Sequence, residues 1–537
     1  MLSVDRTQSY SRQWSQEFRL QSDFDGPFNF NLGANFLKFK IDENYYVFNN
    51  VFTAIAEEQY NLSDGFAGQP PQPCAKGSTD GCIYIDPNRL GRIDGQGHNY
   101  FRSDNNARTL STAVFADTYW KLVDDLKLTV GLRYTRDRKI TTPTPSQLLL
   151  GPSGQAGTGA GYVNYGYPTS PQIRQHWSEP TGRLVLDWSP QTSFTDSTLL
   201  YASYARGYVA GGTNSPGMDI DPTLLAYTPN AATFKPEFVN AFELGTKNIM
   251  AGGKLSLDAD VFYYDYRNYQ VSQIVNRGTV NENFDAKTWG AEVQAAWQPT
   301  RNFRADASLG LLHTRLSKNQ YSIDQMNLTN GDPDWVVVKP FVQAAQACIA
   351  PRDDVAKLIS GISSATSSAY VYLAALCSAT SSLVQGGYSP GSLYSQLTGV
   401  VYDPRTAPNG GAGIATDVGG NELPNAPHDT YSLGAQYTFF WGNSDLILRG
   451  DFYHQGPSWA RVYNDSVDRM RGWSNTNLSL TYEHPENDLS VQFYVKNVFD
   501  KAPITGTFLN SSDSGLTTNV FTLDPRIIGL SIRKGFY

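Results

Sequence analysis

Four cysteines and six histidines are the residues of this chain best suited to redox or metal chemistry, and their spacing narrows what they can do. Cys74 stands near Cys82, and Cys348 lies within reach of Cys377 along the chain. There is no Cys-x-x-Cys and no close His pair, so a tetrahedral zinc site lacks its ligand set. Proximity within two separate segments instead pairs Cys74 with Cys82 and Cys348 with Cys377 as disulfides, with free thiols as the alternative. Closing those loops is worth about 2.5 and about 3.5 kcal/mol. His98, His176, His313, His428, His454 and His484 are scattered without a His-Glu-x-x-His spacing, so none is assigned to a metal. "RIDGQGHN" (92–99) and "NGDPDW" (330–335) lack the Asp-x-Asp-x-Asp-Gly order of a calcium loop and read as turns. Neither a Gly-x-Ser-x-Gly elbow nor a Walker-type phosphate loop occurs. The reading is of a protein that is not an enzyme, with no catalytic, cofactor-binding or metal residues.

Such residues need a scaffold, and the composition says which kinds to set aside. The 537 residues carry a net charge of −8 with no basic run, so nucleic acid is not an indicated partner. No stretch approaches the ~18 apolar residues of a membrane helix. A membrane barrel stays open, because its ~10-residue alternating segments average to a polar hydropathy. The opening "MLSVDRTQSYSRQW" has no apolar signal-like run.

Alternation is the dominant pattern. In "LKLTVGLRYTRDRKI" (126–140), Leu126, Leu128, Val130, Leu132 and Tyr134 share one face, and Lys127, Thr129, Gly131, Arg133 and Thr135 share the other. Comparable segments predict about fifteen strands at 14–24, 28–45, 109–123, 126–140, 176–189, 197–210, 240–250, 254–272, 284–298, 303–317, 430–441, 444–457, 475–484, 488–501 and 524–537. Short turns and long connections alternate between them. The long ones fall near 46–108, 141–175, 211–239, 273–283, 318–429, 458–474 and 502–523. Strands of alternating direction then place every short turn at one end and every long loop at the other, as in a transmembrane barrel. The predicted fold is all-β, an antiparallel transmembrane β-barrel with its polar face on a wet lumen and its apolar face on lipid. A large soluble β-protein is the alternative. All four cysteines then lie in loops on the outer side. Within the 318–429 loop, 340–383 is helical in pattern, with Val355, Leu358, Ile359 and Ile362 at helical spacing, and a disulfide-stapled helical hairpin is expected.

Several strings, in order, carry a resemblance. "WSQEFRLQS" (14–22), "STAVFADTYWKLVDDLKLTVGLRYTRDRK" (111–139), "LLYASYARGYVAGGTN" (199–214), "FKPEFVNAFELGTKN" (234–248), "LSLDADVFYYDYRNYQV" (255–271) and "FDAKTWGAEVQAAW" (284–297) resemble successive barrel segments of TonB-dependent outer-membrane receptors. "LPNAPHDTYSLGAQYTF", "VKNVFDKAP" and "DPRIIGLSIRKGFY" are similar to the closing strands of that family. The resemblance runs from about residue 14 to the end. It implies a location in the Gram-negative outer membrane, in contact with outer-membrane lipid. It also implies a role in TonB-energised uptake of scarce nutrients, iron–siderophore complexes being the commonest small-molecule ligand. A passive porin-like channel and a surface-structural barrel are the alternatives.

The resemblance implies partners too. The outer-membrane assembly machinery reads a terminal aromatic strand, here Ile528, Leu530, Ile532 and Phe536, with Tyr537 as an extra residue. The TonB complex acts through a plug region, and family barrels have 22 strands around that plug. No counterpart of the plug precedes residue 14, and an odd strand count puts Met1 outside the cell. The expectation is therefore a barrel incomplete at its N-terminus, with the plug absent. Loop aromatics such as Tyr227, Tyr394 and Trp459 suit either ligand contact or loop packing.

Overall fold

A computed structural model of the chain describes residues 3–49, 100–149, 171–215, 231–275, 278–339, 347–361, 369–377, 387–510, 512 and 515–536. Fifteen long strands form one antiparallel sheet in sequence order. They are β1 (Ser3–Gln21), β2 (Phe28–Asn49), β3 (Tyr100–Val123), β4 (Leu126–Leu149) and β5 (Ile173–Trp188). Next come β6 (Ser197–Val209), β7 (Glu237–Met250), β8 (Leu255–Val275), β9 (Gly278–Trp297) and β10 (Phe303–Leu316). The set ends with β11 (Asp429–Trp441), β12 (Ser444–Gln455), β13 (Trp473–His484), β14 (Leu489–Lys496) and β15 (Ile527–Lys534). Among the described residues β1 pairs with β2 alone and β15 with β14 alone. No described helix is long and apolar enough to cross a membrane.

Every predicted strand overlaps one of these, but several run further at the long-loop end. The expected long connection at 273–283 is instead a continuation of β8 and β9, paired from Tyr269↔Phe284 to Val275↔Gly278 across a bulge after Tyr266. Asn268, in the left-handed region at φ 55°, sits in that bulge. Alternation of polarity marks a strand only where one face meets an apolar medium. In "QVSQIVNRGTVNEN" both faces carry polar residues, so the strand signal is lost while the backbone ladder continues.

Register separates the two faces. On β4, exposed Leu132 (67%) and Tyr134 (49%) alternate with buried Gly131, Thr135 and Asp137. Their outward row continues through Val114 on β3, Leu184 on β5 and Leu244 on β7 to Leu530 on β15, all exposed apolar side chains. At the short-turn end, Trp120, Trp188, Trp297 and Trp441 each point outward near the last residue of a strand. Tryptophan favours the membrane–water boundary because its ring is apolar and its N–H needs a polar partner.

The opposite face is polar and cross-linked. Arg183 on β5 reaches Asp117 on β3 at 3.1 Å, and Lys127 on β4 reaches Asp187 on β5 at 2.9 Å. Arg449 on β12 bridges Asp306 on β10 at 3.0 Å and Asp451 at 2.6 Å. Phe115 occupies space beside Gly33, where a Cβ would fall 2.2 Å from the ring. A glycine opposite an aromatic lets the ring lie over the neighbouring strand.

The long connection between β10 and β11 folds as a small unit of its own. A hairpin pairs Trp335–Val338 with Cys348–Pro351. Three helices follow, α1 (Arg352–Gly361), α2 (Ala369–Cys377) and α3 (Leu393–Thr398). Ser392 caps α3, its Oγ accepting from the Ser395 N–H at 3.1 Å, and Gly399 closes it in the left-handed conformation. Leu358, Ala375, Leu376 and Val400 are fully buried in its core, with Tyr388 nearly so. Leu358 follows the expected helical stripe, while Ile359 is 63% exposed. Ile362 lies outside the described residues. Cys348 and Cys377 are disulfide-bonded with their Cα atoms 5.5 Å apart. The staple ties the hairpin to α2 rather than one helix to the other, because Cys348 sits in extended chain just before α1.

Candidate ligand-binding mouth of the barrel

At the long-loop end the connections fold over the lumen face instead of standing clear of it. Phe284, Ala286 and Leu316 from β9 and β10 bury with Val418, Leu423 and Ala426 from one loop and Val462 and Tyr463 from the next. Backbone groups in these loops find partners in each other. Asn421 Nδ2 donates to the carbonyls of Val462 (2.9 Å) and Tyr463 (3.0 Å), and the Leu423 N–H donates to Thr314 Oγ1 at 2.9 Å. The start of the β6–β7 connection is held in the same way, since Lys139 Nζ donates to the Gly211 carbonyl at 2.8 Å. Asn214 accepts from the Asn281 N–H at 2.8 Å.

Arg461 is the electrostatic pin of this roof. Its Nε donates to Asp468 at 2.6 Å and its Nη1 to Asp324 at 2.5 Å, with all three side chains largely buried. Burial works against its charge, but the hydrogen bonds it donates to Asp468 and Asp324 outweigh burial and hold the guanidinium protonated. Its face also lies 5.0 Å from the Tyr463 ring centroid. The Tyr463 hydroxyl stands 2.8 Å from Ser322 Oγ and from the Ile323 carbonyl, and 3.1 Å from Gln273 Oε1. Burial, then the neighbouring Glu282 charge, pushes the Tyr463 pKa up, so it stays a neutral donor. Ser322 in turn donates to Glu282 at 2.6 Å.

Between the β8–β9 hairpin and this roof lies a cavity of about 280 Å³, lined by Tyr269, Gln270, Gln273, Glu282, Asn425 and Tyr463 among others. Aromatic faces with amide and hydroxyl groups are suited to a polar organic ligand. Among the described residues no group of three or more His, Cys, Asp or Glu is placed to hold a metal ion.

The residues singled out by sequence fall in different places. Cys74, Cys82, His98 and Tyr227 lie outside the described residues, as does "RIDGQGHN". "NGDPDW" is a turn, with Asn330 and Gly331 at positive φ and Asp332 Oδ1 accepting from the Asp334 N–H at 2.9 Å. Tyr394 packs edge-on against Tyr372 at 4.9 Å, beside the core of the loop unit. Trp459 pairs with Arg469 in a two-residue ladder, and its carbonyl accepts from Asn425. Ile528, Leu530, Ile532 and Phe536 are all outward and 63–89% exposed. His428 contacts Glu422 at 2.9 Å, and its ring lies 5.7 Å from that of His313. The mouth residues Gln273, Glu282, Asp324, Arg461 and Tyr463 carry no local sequence signal, being spread over four separate segments.

Solved structures share this architecture. The ferric yersiniabactin uptake receptor FyuA from Yersinia pestis is 15% identical with a TM-score of 0.58, over 100% of this chain and 56% of that one. The siderophore receptor PiuA from Acinetobacter baumannii is 17% identical with a TM-score of 0.54, over 98% of this chain and 56% of that one. The copper transporter OprC is 14% identical with a TM-score of 0.51, over 98% and 57%. The chain thus spans just over half the length of these proteins, and at such identities the likeness is one of fold. The family model for the TonB dependent receptor-like β-barrel matches residues 1–356 and 359–498. With that match over most of its length and a fifteen-strand sequential sheet, the chain belongs to the TonB-dependent receptor-like β-barrel family.

Proposed function

We propose that the chain forms the membrane wall and outer loops of a Gram-negative outer-membrane receptor for scarce nutrients, with iron–siderophore complexes as the first ligand class. Uptake is energised by the TonB complex in this reading. The observation that carries it is the family match, and the loop-roofed polar mouth supports it. The outward tryptophans at the short-turn end support a membrane setting, with the long loops outside the cell. Loops packed across the lumen weigh against a passive open channel. The exposed row Ile528, Leu530, Ile532 and Phe536 supports a terminal strand read by the assembly machinery.

Iron-starved cells deleted for the complete gene, then complemented, test the reading. Accumulation of radiolabelled iron chelates should return with the gene and stop when an uncoupler removes the proton-motive force. Uptake that continues with the uncoupler present would overturn energised transport in favour of a channel. Equal accumulation in deleted and complemented cells, across hydroxamate, catecholate and mixed chelates, would remove iron chelates as the ligand.

A further inference from the structure

The β8–β9 hairpin and the roof enclose the mouth cavity with an uneven supply of donors, acceptors and charge. Register sorts the hairpin first. Tyr269 is the partner of Phe284 and Val271 that of Glu282, so these four share a face with Gln273. That face lies under the roof, since Tyr269 and Val271 pack on the cluster around Phe284 and Tyr463. Gln273 on the same face reaches the Tyr463 hydroxyl. Pro424, Asn425, Ala460 and Val462 line the cavity from the two loops.

The polar atoms of these walls are only partly used. Glu282 Oε2 accepts from Ser322 Oγ at 2.6 Å, and its Oε1 has no partner among the described residues. Gln273 Oε1 accepts from the Tyr463 hydroxyl at 3.1 Å, which leaves the Nε2 hydrogens to donate. Asn425 gives its backbone N–H to the Trp459 carbonyl at 2.7 Å, and its side-chain amide has no partner among the described residues. A carboxylate oxygen beside two amides therefore presents acceptors and donors together. Hydroxyl groups match that mixture, because each gives one hydrogen and accepts others. An ammonium would satisfy Glu282 and leave the amide N–H groups facing a cation.

Anions are disfavoured. Arg461 is the one cation among the lining residues, and Asp468 and Asp324 hold its Nε and Nη1. Its remaining nitrogen, Nη2, is buried from solvent. Glu282, Asp324 and Asp468 thus set three carboxylates against one closed guanidinium. An anionic oxygen brought here meets like charge with no counter-ion to receive it. Size narrows the choice further. A volume of about 280 Å³ lies at the lower end of small-molecule sites and suits one substituted ring. Tyr269, with Val271, Pro424 and Val462, offers apolar surface to the C–H side of such a ring.

We propose that the mouth cavity takes one uncharged pyranose ring, with Glu282, Gln273 and Asn425 on its hydroxyls and Tyr269 on its apolar side, and that it rejects anionic groups. The inference rests on the receptor reading and names the ligand unit of that same site. Such a ring arrives either in a saccharide or as a glycosyl group on an iron chelate.

The test titrates the full chain, in zwitterionic detergent micelles, with methyl hexopyranosides observed by NMR. Gluco, galacto and manno forms are compared with the matching methyl uronates, the same rings with a carboxylate on the exocyclic carbon. The best neutral glycoside should bind at least ~10-fold more tightly than its uronate. Glu282→Gln keeps an acceptor for Ser322; it should weaken the neutral ring about 10-fold and bring the uronate within about 3-fold of it. Asn425→Gly suits the φ of 55° there, and should weaken the ring about 5-fold while the preference over the uronate stays. Arg405→Gln, exposed in the β10–β11 connection, should change neither. No binding of any glycoside, a uronate bound as tightly as its glycoside, or a Glu282→Gln variant with parent affinity and preference would overturn the proposal. A malto-oligosaccharide and a glucosylated neutral trihydroxamate iron chelate separate the two sources of the ring. A chelate that gains nothing from its glucose assigns the ring to saccharides, and one that outbinds the oligosaccharide assigns it to chelates. Cellular uptake reads the receptor role separately. Ring binding without energised accumulation removes that role and leaves the site, and energised accumulation without ring binding removes the site alone.

Discussion

The ring of Tyr494 fills the place a side chain at Gly529 would take: a Cβ there would stand 2.3 Å from Tyr494 Cζ. The two residues are direct partners in the last hairpin of the sheet. Gly529→Val must push the ring aside or part the strands, and overpacking of this kind costs about 1–3 kcal/mol. Denaturant titration of the folded barrel should show that loss. Adding Tyr494→Ala should recover much of it, so the pair deviates from additivity. Strict additivity would mean that the ring is not what occupies the space.

Arg461 neutralises two buried carboxylates, Asp324 and Asp468. Arg461→Ala leaves both charges unpaired, at a local cost of about 3–5 kcal/mol. Limited proteolysis should cut the 456–472 loop much faster in this variant, with the strand core unaffected. Replacing all three by apolar residues of similar volume should restore most of the resistance.

Burial, then the charges of Asp354 and Asp403, pushes the Tyr402 pKa from 10.0 up to about 12. A phenol raised on folding contributes stability that is fully present below pH 10 and is lost as pH rises through 12. Ultraviolet titration of phenolate should show a late component that loses the amplitude of one phenol, centred near pH 12, in Tyr402→Phe. A variant with an unchanged curve would place Tyr402 among the solvated tyrosines.

Cys348–Cys377 closes a loop with a sequence separation of 29, for which chain entropy predicts about 3.5 kcal/mol. Cys348→Ser/Cys377→Ser should unfold the small loop unit at a lower temperature while the barrel transition stays put. Peptide mapping without reductant also tests the proposed Cys74–Cys82 bridge, which crossed pairs or free thiols would remove.

Membrane orientation is open to labelling. Val467 is 69% exposed on a long connection, and Asn443 sits in the short turn after Trp441. Val467→Cys should react with an impermeant maleimide on intact cells, and Asn443→Cys only after the outer membrane is breached. The reverse pattern would invert the barrel.

Strand number and order were legible in the chain because most of the strands, Leu126–Ile140 and Leu255–Tyr263 among them, repeat an apolar face at period two. Lipid and water on opposite faces write that period into the residue types. The helical stripe at Leu358 and the pairing of Cys348 with Cys377 were legible for the same local reason, being close in sequence. Where both faces carry polar residues, as from Gln273 to Asn283, the period fades and the strand ends were misplaced. The roof of the mouth was not legible at all. Arg461 meets Asp324 only after antiparallel register brings distant segments side by side. Hydrogen-bond ladders fix that register through the whole sheet at once, so these contacts belong to the tertiary structure and to no stretch of sequence.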